Sequence, residues 1–273
     1  MEIRDESLKD FLIETHFCDF KNSNILEVAN QIKSNCSNEK ELAIKLFEFV
    51  RDEIKYTIGP WNKKASETLN EKIGMCTTNT NLLVALFRAV GIPAGYCIYK
   101  VVGGESFGHL VPKLIKKRIH RHSVHIVCSV FLNNQWIKCD PSTDKELSIN
   151  SKHISRLTEL INWDGEHDSV HNMDASHIIS ISEPLANIDY QMQKKPRYIV
   201  RNHLFHIGNL YIDFLRSEGK NIKTKDEVEK SFVDWIKRHH RIRFLRYKLI
   251  YYFYELGFIL LFSFKKKWKK IKN

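Results

Sequence analysis

The stretch from Thr77 to Val90 places its apolar residues at Leu82, Leu83, Ala85, Leu86, Ala89 and Val90. Those steps of three and four mark a helix with one buried face. Gly74 permits a tight turn just before it, and Gly91 followed by Pro93 stops it. The chain must therefore build its core around this helix, and Cys76 falls in the first turn. A thiol there meets unpaired backbone N–H groups and the positive end of the helix dipole, both of which favour the thiolate. The same N–H groups can stabilise an oxyanion when a thiolate attacks a carbonyl. The plain alternative is a buried small hydrophobe, the usual state of a free cysteine.

The chain has 273 residues, enough for one large domain or a domain with an appendage. Its 43 % hydrophobic and 11 % aromatic content can fill a core. The cysteines, Cys18, Cys36, Cys76, Cys97, Cys128 and Cys139, lie far apart with no CxxC pair. That spacing argues against a zinc knuckle, a redox dithiol or a dense disulfide framework. The polar start, Met1 to Glu6, has no apolar run and reads as lacking a signal peptide, so a reduced, cytoplasmic setting is expected. No HExxH occurs, and the chemistry considered below calls for neither a metal nor a cofactor.

Net charge is +11, and all of it resides at one end. From Lys237 to Asn273 there are twelve Lys or Arg against the single acid Glu255, so the preceding residues are neutral overall. A neutral body with a basic tail is a different object from a basic protein.

Ser7 to Phe20 reads as a short helix or an extended arm, and Ile25 to Ser34 as helical. Asn38 can cap a stronger helix with Glu41 in capping-box position, and its apolar face is Leu42, Ile44, Leu46, Phe47, Val50 and Ile54. Tyr56-Thr57-Ile58 leaves that helix, Gly59-Pro60-Trp61 turns, and Ser66 is placed to cap a short helix carrying Leu69. After Pro93 a β-rich run, Tyr96 to Val102, ends at Gly103-Gly104. The basic stretch Glu105 to Arg121 reads by default as a solvated loop, with a short helix near Val111 to Ile119 and the option of overhanging a cleft.

Two strands follow, His125 to Leu132 and Gln135 to Asp140. Asn133-Asn134 joins them, a pair that tolerates the left-handed backbone of a hairpin turn. Antiparallel pairing returns His125 and Asp140 to the same end of the hairpin. A helix bearing Cys76 packed on that sheet would assemble a nucleophile, a base and an orienting acid. The same residues would also serve as a structural histidine and a strand-end aspartate. His122 competes with His125 as the base but falls before or at the strand edge. His109, His120, His167, His171 and His177 lack supporting spacing and read as surface or loop residues.

These segments carry a pattern: Phe49 to Tyr56, Gly74-Met75-Cys76, Leu82 to Ala94, His125, and Trp136-Ile137-Lys138-Cys139-Asp140. The pattern resembles the transglutaminase-like superfamily. The resemblance implies an α+β, papain-like core with the nucleophile helix packed on an antiparallel sheet. Carried over by motif, Cys76 is the nucleophile, His125 the general base and Asp140 its partner. An upstream oxyanion or cleft donor is expected from Tyr56 or Trp61. The resemblance covers roughly 19–144 and extends toward Pro184 through Trp163-Asp164-Gly165-Glu166-His167-Asp168, an acidic turn of unassigned role. Three departures stand out. Val127 and Ser129 occupy positions where the family commonly has an aromatic and an acid, and those neighbours are expected to line the cleft. Asn79-Thr80 stands where many members have Lys-Ala, and Pro141-Ser142-Thr143 where Asp is usually followed by Pro-Thr.

The expected organisation is a transglutaminase-like domain over 1–190 and a basic, aromatic-rich helical extension over 191–273. In the extension, Tyr198 to Arg216 reads as a helix or a strand plus a helix, and Thr224 as a cap for a helix holding Val228, Phe232, Val233 and Trp235. Beyond it, Leu249 to Phe264 would span about 24 Å as a helix, short of the roughly 30 Å hydrocarbon core. With basic flanks on both sides, residues 241–272 fit an anionic membrane surface, a helix buried on this protein or a partner and a true span being the alternatives. No nucleic-acid reader motif is present. The expected activity is thiol-dependent acyl transfer on a peptide, protein or small amide or thioester, with release by water or an amine. The alternative is a non-catalytic membrane- or partner-binding module on a degenerate domain.

Overall fold

The computed structural model describes residues 6–117, 119–155, 158–171, 173–194, 198–245, 247–249 and 252. The Lys-rich end from 253 onward therefore lies outside the described residues. By contact density the chain divides into two units, Met1–Lys223 and Thr224–Asn273.

The first unit is α+β. Helices α1 (Ser23–Lys33) and α2 (Glu39–Glu53) lead to a two-residue strand β1 (Lys55–Tyr56). Helix α3 (Ala65–Glu71) and strand β2 (Ile73–Gly74) precede the central helix α4 (Cys76–Ala89). Strand β3 (Ala94–Val102) is joined to β4 (His122–Leu132) by an excursion holding α5 (Gly103–Phe107) and α6 (Lys113–Lys116). After β5 (Gln135–Cys139) come α7 (Lys145–Ser151), β6 (Ile178–Ile181), α8 (Asp189–Met192) and α9 (Tyr198–Glu218). The sheet order is β5-β4-β3-β6, every pair antiparallel. In the second unit, α10 (Val228–His239) buries Val228, Phe232, Trp235 and Ile236.

Local chemistry accounts for most of these boundaries. Asn38 accepts a hydrogen bond from Glu41 N at 2.9 Å, and Ser37 N donates in turn to the Glu41 carboxylate. Asn133 and Asn134 take φ of 50° and 63°, the left-handed turn expected of that pair. Ser66 does not cap α3. The helix begins one residue earlier with Lys64 as cap, because Asp19 takes both the backbone N and the hydroxyl of Ser66.

Helix α4 lies across β4, with α1, α2 and α3 packed around it, and Leu82 to Phe87 are all fully buried. Ile126, Cys128 and Val130 of β4 join this core, while Val127 belongs to a second cluster with Cys97, Tyr99 and Val101. Arg88, near the end of α4, is buried and donates to the carbonyls of Ile13, Ala94 and Ala186. One side chain thus ties the helix to three otherwise separate segments. Helix α9, grouped with the extension in the sequence reading, lies within the first unit and packs on α7.

Candidate active site

Gly74 brings the chain into α4 at close quarters. A Cβ there would stand 1.9 Å from Asn79 Oδ1 and 2.8 Å from Thr78 Oγ1, so no larger residue fits without displacing the first turn. Met75 N donates to Thr78 Oγ1 at 2.9 Å, and the first helical bond runs from Asn79 N to Met75 O. The N–H groups of Cys76 and Thr77 thus precede the helical ladder.

Asn79 and Thr80 dock this turn onto the hairpin. Thr80 Oγ1 donates to Ile126 O at 2.9 Å, one residue past His125. Asn79 Nδ2 donates to Pro141 O at 3.3 Å, one residue past Asp140. Asn79-Thr80, one of the three departures from the family pattern, therefore supplies the residues that bring helix α4 to the strands.

His125 Nε2 lies 2.5 Å from Asp140 Oδ2, with His125 3 % and Asp140 0 % exposed. The hairpin register explains the meeting. Cys128 pairs with Cys139, so Asp140 continues opposite Val127, diagonal to His125 on the same face. Ser142 donates to Asp140 Oδ1 through both its N–H, at 3.1 Å, and its hydroxyl. The other ring nitrogen, His125 Nδ1, is buried and makes no hydrogen bond to a nitrogen or oxygen among the described residues.

The electrostatics join Cys76 to this pair. Burial alone would raise the Cys76 thiol. The hydrogen bond and positive charge of His125, with the Ile126 amide, outweigh burial and hold the thiol below its ordinary value. Burial likewise opposes charge on His125, but the Asp140 carboxylate and Cys76 push the imidazole up to about 10. Asp140, despite burial, is held well below the carboxylate range by His125, then His171 and Ser142. Cys18, Cys36, Cys97 and Cys139 all shift the opposite way, upward through burial. Of these five thiols, one alone is tuned toward a thiolate.

Beside His125 opens a narrow cleft. Tyr56, Phe107, Leu110, Leu147 and Met173 supply an apolar lining, and Ser106, Ser142, Thr143 and His171 supply its polar groups. No Asp, Glu, Lys or Arg lines it among the described residues. Phe107, on the β3–β4 excursion, places its ring 6.1 Å from that of His125, so this stretch does overhang the site. Val127 and Ser129 are not in the lining, contrary to expectation. Both are fully buried in β4, and Ser129 Oγ makes no hydrogen bond among the described residues. Trp61 is half-buried in the loop before α3 and is not in the lining, whereas Tyr56 is. Burial, then the negative charge of Cys76, raise the Tyr56 phenol, so it keeps its proton as a donor.

Tyr56 is held from behind by α9. Asn209 exchanges two hydrogen bonds of 2.7 Å with the backbone of Ile58. Arg216 donates to Tyr56 O and to Asp144 Oδ2, the latter at 2.6 Å, while Asp144 also accepts from Tyr56 N at 2.8 Å. Arg216→Ala would leave the Asp144 carboxylate buried without its cation. Such a loss is expected to cost about 3–5 kcal/mol, measured as a fall in unfolding free energy by urea titration. A variant as stable as wild type would show the clamp to be idle.

His171 is the site residue that sequence spacing missed. Its ring centroid lies 5.6 Å from that of His125, and its Nε2 lies 2.9 Å from Thr143 Oγ1 and 3.9 Å from Asp140 Oδ2. The acidic turn before it explains the placement. Asp164 Oδ1 accepts from Glu166 N and His167 N, and Gly165 takes φ of 75°. Asp168 then grips Lys138 through its backbone N and its Nζ, at 2.8 and 2.7 Å. Ser169 pairs with Cys139, which leaves His171 beside Asp140. The Asp-Gly-x-x-Asp segment was the available signal, and its work here is to carry the chain back to the site. His122, by contrast, is exposed at the start of β4.

Residues 26–141 match the family model of the Transglutaminase-like superfamily. The matched span contains Cys76, His125 and Asp140. The chain is also similar, at 19 % identity and a TM-score of 0.40, to a crystal structure of a candidate cysteine protease from Cytophaga hutchinsonii. That alignment covers 50 % of this chain and 42 % of the other, so less than half of that protein is represented. No curated protein matches the chain.

Proposed function

We propose that this protein is a cysteine-dependent acyl-transfer enzyme acting on an amide or thioester carbonyl. The observation that carries the reading is the buried coupling of Cys76, His125 and Asp140, which lowers one thiol and raises the imidazole. The Cys76 thiolate attacks the carbonyl carbon, and the oxygen takes up the negative charge. First-turn N–H groups of α4 and the Tyr56 hydroxyl are the donors placed to receive it. His125, protonated, passes its proton to the leaving amine as the C–N bond breaks, leaving a thioester on Cys76. Water or an amine then gives a proton to His125 while attacking the thioester, and expulsion of the Cys76 thiolate restores the ion pair. Asp140 keeps the imidazole oriented through both half-reactions. The apolar, uncharged cleft suits an acyl group without formal charge. Water needs no dedicated site, which favours hydrolysis over transfer.

The test is a reaction with p-nitrophenyl acetate. Wild type is expected to release a stoichiometric burst of nitrophenolate and to carry an acetyl group on Cys76 by peptide mass mapping. Cys76→Ser is expected to show neither. A folded wild type that acquires no acyl group on Cys76 would remove the enzyme reading. That result would support the alternative, a non-catalytic membrane- or partner-binding module on a degenerate domain.

A further inference from the structure

The second unit carries a surface unrelated to the Cys76 chemistry. Beyond α10, residues 241–245, 247–249 and 252 are helical. Tyr247 is buried there, its ring 6.0 Å from that of Phe232 on α10. Ile242, Leu245, Leu249 and Tyr252 are instead 72 %, 61 %, 57 % and 64 % exposed. Their spacing of three, four and three places them within an arc of about 80° on a helix, with Tyr247 on the opposite side. These turns are therefore seated by one face and present a continuous apolar stripe on the other. Single exposed apolar residues are ordinary; an aligned stripe of four is not.

The charges beside the stripe identify what it meets. Arg241, Arg243 and Lys248 are exposed. On the helical wheel Arg241 and Lys248 border one edge of the stripe, and Arg243 falls beyond the other. The surrounding sequence from Lys237 onward holds twelve Lys or Arg against one acid. A second copy of this surface would set these cations against each other, and an ordinary globular partner offers no reason for so one-sided a charge. A bilayer with anionic headgroups answers both features, since long basic side chains can reach the phosphates while the apolar stripe enters the acyl boundary. Among the described residues no helix is long and apolar enough to cross a membrane. We infer that the stripe Ile242–Leu245–Leu249–Tyr252, with its bordering Arg and Lys, is an interfacial anchor that lays the second unit onto an anionic lipid surface.

The experiment is vesicle sedimentation of the full chain. Phosphatidylcholine vesicles are compared with vesicles that also contain phosphatidylglycerol, at low and high salt. Wild type is expected to sediment with the anionic vesicles at least about tenfold more tightly than with the neutral ones, and less tightly at high salt. The double variant Leu245→Glu, Leu249→Glu changes only exposed positions, and far-ultraviolet circular dichroism checks that it folds. It is expected to lose about tenfold or more in affinity for anionic vesicles. Equal binding by this variant and wild type would overturn the inference, as would absence of wild-type binding. A concentration-dependent dimer without lipid, broken by the same variant, would assign the stripe to a second copy. Tighter binding to duplex DNA that survives the variant would assign the basic residues to nucleic acid. Either result would also overturn it. Acylation of Cys76 is expected to be unchanged in the variant, so success or failure here is independent of the enzyme reading.

Discussion

In a His125→Ala variant, alkylation of Cys76 by iodoacetamide near pH 6 is expected to slow by about tenfold or more, because the thiol rises once the ring that lowers it is gone and the thiolate fraction falls with it. The groups that lower Cys76 are the His125 ring and the Ile126 amide; those that raise it are burial and Asp140. Removing the ring leaves the raising influences in command, and the thiol should then titrate above the ordinary value. In wild type the rate should rise at low pH and stay level until His125 loses its proton near pH 10. Peptide mapping across a pH series distinguishes the two profiles and separates Cys76 from the other five thiols. A variant that reacts as fast as wild type at pH 6 would show that helix α4 alone activates the cysteine.

Asp140→Ala is expected to reduce turnover by about 10³–10⁴-fold, comparable to losing the orienting acid of other triads. It also predicts a change in stability with pH, whose sign follows from the two shifts. Asp140 is depressed on folding, so its contribution is present above its unfolded value of about 3.9 and is lost as pH falls through the folded one. His125 is raised, so its contribution is complete below about 6.5 and is lost as pH climbs toward 10. Wild-type Tm should therefore decline between about pH 6.5 and 10, and the difference between wild type and Asp140→Ala should shrink over that window. A difference that stays constant from pH 6 to 10 would show that the pair is not ionised as described.

Much of this site was legible because its signals are local. The apolar spacing of Leu82 to Val90 gave α4, Gly74 gave the turn into it, and Asn133-Asn134 gave the hairpin that returns Asp140 to His125. What was not legible depends on contacts distant in sequence. His171 reaches the site only because Asp168 grips Lys138 and Ser169 bridges to Cys139, a parallel pairing that no local pattern announces. Ser66 reads as a cap until Asp19 claims it. Tyr198 to Arg216 showed its apolar content but not that Arg216 and Asn209 would brace the Tyr56 segment. Val127 and Ser129 were assigned to the cleft by chain distance from His125, but burial in the sheet decided their surroundings.

The β3–β4 excursion has a consequence for how this scaffold can diversify. Gly103 N donates to Arg121 O at 3.0 Å, directly beside the pair Val102–His122, so the stretch leaves and re-enters the sheet at one point. A Cβ on Gly103 would come within 2.3 Å of His120 O, which makes glycine a condition of that closure. Because the cost of closing a loop grows slowly with its length, the stretch can be lengthened at little cost in closure entropy as long as the buried Val111, Leu114 and Ile115 are kept. His125 and Asp140 stand on strands outside it, and Phe107, Ser106 and Leu110 stand inside it. Grafting another sequence between Gly103 and Arg121 would thus change the lining of the cleft while His125 and Asp140 stay in place.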